Sequence, residues 1–164
     1  MACALLALLG VCAGAVRAEE TGEEDHGLVL EVGAAGEKPV TGGASRFGGT
    51  IGAEVTPIEN WLELEFGLTA LAGAGHTELS GDLIFKKPYR LSEQVEFMIG
   101  AGPSFAKTLN GPDRGTAIGA EVAADFMIWP SRRLGWYVEP TWGIVPHTHE
   151  QSVGLAIGLL IGVP

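Results

Sequence analysis

The chain has 164 residues and a formal charge of −10, with ten Lys and Arg against twenty Asp and Glu. That balance leaves no basic surface to meet phosphates and excludes a nucleic-acid role. The length suits one domain once a leader is subtracted.

Residues 2–16 are small or apolar and run into Val16-Arg17-Ala18, an h-region with an A-x-A-like cleavage site. The stretch is short for a spanning helix. The reading is a signal peptide over 1–18, cleaved after Ala18. A lipoprotein acylated at Cys12 is the rival, and Gly10-Val11 fits that signal poorly. Cys3 and Cys12 both fall in the leader, so residues 19–164 carry no thiol chemistry. Loss of Arg17 leaves nine Lys and Arg against twenty acids, a charge of −11. Residues 19–26 open with Glu19 to Asp25 (EETGEED) and read as a solvated acidic tail on the periplasmic side. The remainder, 27–164, is one β domain.

A two-residue alternation then returns eight times, and a period of two means strands. The segments are 27–36, 45–57, 61–73, 77–87, 95–106, 116–128, 135–145 and 151–163, separated by Gly, Pro, Asn and Ser turn signals. From Trp61 to Gly73, Leu62, Leu64, Phe66, Leu68, Ala70 and Ala72 share one face; Glu63, Glu65, Gly67 and Thr69 share the other. The last segment repeats the pattern with Val153, Leu155, Ile157, Leu159 and Ile161. The apolar faces are expected to carry no charge, as a lipid-facing wall requires, since a mid-depth Lys or Arg there costs about 2–4 kcal/mol. Short connections suit consecutive hairpins. Pro103 and Pro140 fall inside strands and predict a bulge or bend at each.

The opposite face collects small residues (Gly33, Gly48, Gly52, Gly67, Gly81, Gly100 and others) and carboxylates. Glu31, Glu54, Glu63, Glu65, Glu78, Asp82, Glu96, Glu121, Asp125 and Glu139 are candidate lumen acids. Arg46 and Lys86, both placed near strand ends, are the cations that oppose them. Ten acids against two cations leave carboxylates that need protons, water or a mobile cation. Two readings follow: a plugged polar core, or a narrow cation-preferring pore. Aromatic residues gather at one set of turns: Trp61, Phe85, Tyr89, Trp129, Trp136 and Tyr137 form the expected interfacial girdle. A soluble lipocalin-like barrel, with apolar residues inward, is the competing sense of the same alternation.

In the last outer loop, His147, His149 and Glu150 are weak metal-ligand candidates, with His76 and Glu78 at another tip. Ser152 follows closely, which keeps a lipid hydrolase as a third possibility. No GxSxG, HExxH or phosphate-binding loop appears. The expectation is no cofactor, no metal and no enzymatic activity.

Export leader, eight amphipathic strands, aromatic girdle and the closing EQSVGLAIGLLIGVP make the chain similar to the small outer-membrane β-barrels typified by OmpA and OmpX. The resemblance implies an all-β, eight-stranded antiparallel up-and-down transmembrane barrel with periplasmic termini. It implies contact with outer-membrane lipid and lipopolysaccharide, insertion by the outer-membrane assembly machinery, and a monomer. Such barrels often end in Phe or Trp, and this chain ends in Val163-Pro164. The functional expectation is a structural, envelope-integrity barrel, with the porin-like channel as the alternative.

Overall fold

The structure, a computed structural model, describes residues 27–73, 75–110 and 115–163. The leader, the acidic tail, both cysteines, Gly111-Pro112 and Pro164 lie outside the described residues. Eight strands follow one another: β1 Leu28–Pro39, β2 Arg46–Ile58, β3 Leu62–Gly73, β4 His76–Arg90, β5 Val95–Thr108, β6 Thr116–Ile128, β7 Leu134–Val145 and β8 Glu150–Val163. Each pairs antiparallel with its sequence neighbours, and β1 pairs with β8 from Leu28↔Val163 to Pro39↔Ser152, so the sheet closes into a barrel. Closure removes the edge whose unpaired N–H and C=O groups lipid cannot satisfy. The strands run from 12 to 15 residues, more than the roughly 9–11 that cross a bilayer when tilted.

Side chains alternate across the wall as the period of two requires. The apolar set faces out: Leu30, Val32, Ile51, Phe66, Leu68, Ile118, Leu155, Ile157 and Leu159 are all exposed. The carboxylates face in, and Glu31, Glu54, Glu65, Asp125 and Glu139 are buried. A soluble barrel with an apolar interior would show the reverse, so the lipocalin-like sense is excluded.

Four sequence expectations are corrected. First, the outer face is not free of charge. β1 and β5 run past their expected ends at 36 and 106, which brings Lys38 and Lys107 onto the outer face. Lys87, the last residue of the expected fourth strand, shares that face with Phe85, and all three lysines stand at the barrel rims. Among the described residues every outward strand charge is one of these lysines. Rim positions let the ammonium reach water while the stem lies on the wall. Second, neither Pro103 nor Pro140 makes a bulge. The β4–β5 ladder skips from Asp82↔Ser104 to Phe85↔Ala101, and β6–β7 skips from Ala123↔Thr141 to Phe126↔Val138, both in unchanged register. Each proline removes one donor from one side, and the flanking pairs hold the strand in place. The register shift falls between Val55 and Ile58, beside Pro57 at the end of β2. Third, Gly81 faces outward, under the ring of Phe105. It shares its face with Leu79 and Leu83, two residues to either side. Fourth, Lys86 is not an end residue in effect: its ammonium sits inside the lumen, as described below.

Glycines let the wall curve where strands press together. A Cβ on Gly102 would run into the carbonyl oxygen of Leu83 on β4, and one on Gly48 into that of Ala70 on β3. Backbone cannot step aside as a side-chain tip can. Gly102→Val is therefore expected to lower barrel stability by about 1–3 kcal/mol, seen as a lower urea midpoint and a smaller heat-modifiable fraction on gels. An unchanged midpoint would show that β4 and β5 are not in this close approach.

Candidate functional site

The lumen holds three groups of side chains. At the end opposite the termini, Arg46 at the start of β2 bridges two neighbours. Its Nη2 lies 2.6 Å from Glu37 Oε1 and its Nη1 lies 2.6 Å from Glu78 Oε2. Glu37 was missed by the sequence reading because β1 was ended at 36, and it runs on to Pro39. Below this pair the wall is lined by small polar groups, with Thr69 Oγ1 donating to Thr50 Oγ1 at 2.8 Å.

The second group centres on Lys86 of β4, 1% exposed. Its Nζ lies 2.7 Å from Glu139 Oε2 on β7 and 3.3 Å from Asp125 Oδ2 on β6, and it also contacts Glu65 Oε2 on β3. One ammonium thus ties three strands to its own across the barrel. Breaking such a buried pair leaves charges with no compensation and costs several kcal/mol. Glu31 and Glu54 are buried nearby, and neither oxygen of Glu54 has a hydrogen-bond partner among the described residues. Seven of the expected lumen acids take inward positions outside this group's direct contacts: Glu31, Glu54, Glu63, Glu78, Asp82, Glu96 and Glu121 all sit on the inward side of their strands. Glu65, Asp125 and Glu139 are the three that Lys86 gathers.

The third group was not read from the sequence. Val29, Met98, Met127, Tyr137, Ala156 and Leu160 form one buried apolar cluster inside the barrel near the termini, with Trp129 packed against it. Met98 and Leu160 are fully buried at 0% exposure. The interior was expected to hold only small and polar residues, and this is a correction. Each of these positions sits inside a run of consecutive apolar residues, where both faces of a strand are apolar at once: Leu28-Val29-Leu30, Phe97-Met98-Ile99, Phe126-Met127-Ile128 and Leu159-Leu160-Ile161. The interruption of the alternation was the available signal.

The aromatic residues divide accordingly. Trp61, Phe85, Tyr89 and Trp136 are exposed on the outer wall or its turns at the end bearing the termini. Tyr137 is removed from the girdle: it follows Trp136 in an extended strand, so the two cannot face the same way, and it is buried in the apolar cluster. Trp129 is partly buried against the same cluster. Phe97 joins the outer row instead, its ring 4.8 Å from Phe126 and 6.2 Å from Tyr89, centroid to centroid. Lys87 lies 5.8 Å over the Tyr89 ring and also donates to the Asn60 carbonyl.

His147, His149 and Glu150 lie in and beside the turn from β7 to β8. His149 adopts a left-handed backbone (φ 57°), and the Thr148 hydroxyl donates to Glu150 Oε2 at 3.1 Å. Among the described residues no three His, Cys, Asp or Glu side chains gather as a metal site.

With this wall and interior in view, comparison with solved structures is informative. Neisserial surface protein A (NspA) superposes with a TM-score of 0.69 at 18% identity, over 84% of this chain and 97% of that one. A de novo designed transmembrane β-barrel gives 0.59 at 18% identity, over 87% and 100%. The fold is that of the small transmembrane β-barrels. The N-terminal β-barrel domain of Pseudomonas aeruginosa OprF gives 0.58 at 15% identity, over 81% and 97%. No protein-family model and no curated protein sequence matches the chain. The resemblance to small outer-membrane barrels therefore holds at the level of fold. A designed barrel among the matches shows how little this architecture says about activity.

Proposed function

We propose that this protein is a structural barrel of a bacterial outer membrane, with a closed lumen and no enzymatic chemistry. The observation that carries the reading is the pairing of an apolar outer wall with an interior blocked twice, by the apolar cluster of Met98, Met127, Tyr137 and Leu160 and by the ion pairs on Lys86. Eight strands leave an interior barely wider than its side chains, and here the largest buried side chains lie within it. The short connections, of which 109–115 is the longest, leave no large surface for adhesion. Periplasmic termini, an export leader and lipid or lipopolysaccharide around the wall belong to the same proposal.

Conductance in planar bilayers tests it. The refolded protein is expected to be silent in a KCl gradient, and Met98→Ala with Tyr137→Ala alone is expected to stay silent because the Lys86 ion pairs still close the lumen. Adding Lys86→Ala, Glu65→Ala and Glu139→Ala removes the second block as well and is expected to produce discrete steps. The second reading, a cation-preferring pore, is favoured by the buried acids Glu31 and Glu54: Oε1 of Glu31 and both oxygens of Glu54 are without a hydrogen-bond partner among the described residues. Cation-selective steps in the unaltered protein would establish it and overturn the closed lumen.

A further inference from the structure

The outer wall is not uniformly studded. On β1 and its neighbours the outward positions in the half away from the termini are small: Ala34 and Gly36 on β1, Gly49 on β2 and Ala70 on β3. Ala34, Gly49 and Ala70 are partners across the ladders, so the small positions adjoin. Two apolar grooves result, of about 430 and 400 Å³. The first runs between Phe47 and the Leu155 and Ile157 side of β8, and the Phe47 ring lies over Gly36. The second crosses Gly49 and Ala70.

The first groove ends at a charge. Lys38 lines it, is exposed, and has no ion-pair partner among the described residues. It stands two residues beyond Gly36 on the same face, about 7 Å along the strand. Glu37 also borders the groove, but its carboxylate turns inward onto Arg46 at 2.6 Å and does not neutralise the lysine. The other rim lysine at this end, Lys107 on β5, lies outside both grooves. Adjoining apolar grooves with an unpaired cation at the rim complement a molecule with two or more chains and an anionic head.

We propose that the outer wall of β8, β1, β2 and β3 is a binding site for a phosphate-bearing lipid with two or more acyl chains, the chains lying in the two grooves and the phosphate on Lys38. The inference rests on the membrane reading above and adds a preference that a merely lipid-coated wall lacks. Lysine acts here as a point charge for phosphate, and the grooves replace mobile solvent lipid by a fitted chain.

The test is native mass spectrometry of the refolded protein released from detergent micelles containing equal phosphatidylglycerol and phosphatidylcholine with matched chains. Heat-modifiable insertion into phosphatidylcholine vesicles is scored first for each protein. The expected result is several-fold more bound phosphatidylglycerol than phosphatidylcholine. Lys38→Gln should abolish the preference, Lys107→Gln should leave it, and Ala34→Leu or Gly36→Leu should reduce the bound lipid by filling the groove. Equal retention of the two lipids in a protein that inserts normally would overturn the site alone, as would a preference that survives Lys38→Gln. A dimer mass without lipid would assign the grooves to a second copy and overturn it too. Failure to enter vesicles would overturn the membrane reading and this site with it.

Discussion

Lys86→Met is expected to lower the unfolding free energy of the refolded barrel by about 3–5 kcal/mol, read as a shift of the urea midpoint in vesicles. The substitution roughly keeps the volume of the side chain, so packing loss is small. What it removes is the ammonium that Glu65, Asp125 and Glu139 share on three other strands. Those acids stay buried, in an interior where charge without a partner is costly. The sign of a second variant separates this cause from simple cavity formation. Adding Glu65→Gln, Asp125→Asn and Glu139→Gln to Lys86→Met takes away the stranded charges, and most of the lost stability should return. A quadruple variant no more stable than Lys86→Met would show that the lysine acts through packing.

Ile157→Arg carries the second large effect, and its direction depends on what surrounds the barrel. Ile157 is 53% exposed midway along the outer face of β8. On a protein bathed in water, replacing an exposed Ile by Arg changes stability little or helps solubility. In a bilayer, an outward Arg near mid-depth costs about 2–4 kcal/mol, and the cost falls toward the rims. Lys38, Lys87 and Lys107 already occupy rim positions, so Leu79→Arg, directly across the ladder from Lys107, should cost less than Ile157→Arg. Refolding into vesicles with urea titration measures both. Equal, near-zero effects would remove the lipid-facing wall from the account.

The wall was legible because its signal is redundant. Each strand repeats the alternation several times, and an error of two or three residues at an end does not alter which face is apolar. The ends themselves were less legible, and the cost of that was specific: Lys38 and Lys107 fell outside the expected strands, and Glu37 was not recognised as the partner of Arg46. Prolines were read as bulge formers from their missing donor, yet the register held by the flanking ladder pairs absorbed Pro103 and Pro140. Side-chain reach was not legible at all. Lys86 lies toward the end of β4, and only the folded barrel shows its long stem carrying the charge to acids on β3, β6 and β7. The apolar cluster was legible in principle, since FMI occurs at 97–99 and again at 126–128. A continuous apolar run across a strand means that an apolar side chain faces inward as well as outward, which here builds the buried cluster around Met98, Met127 and Leu160.

The central claim is that the apolar outer wall lies against lipid chains. Trp142 offers the most direct probe, because it is an outward residue within β7, while Trp61 sits in the β2–β3 turn. Two single-tryptophan proteins, each with the other three tryptophans replaced by Phe, would be refolded into vesicles of phosphatidylcholine brominated near mid-chain. The account predicts strong quenching of Trp142 fluorescence and weaker quenching of Trp61. A folded protein whose Trp142 is quenched no more than in unbrominated vesicles would contradict it.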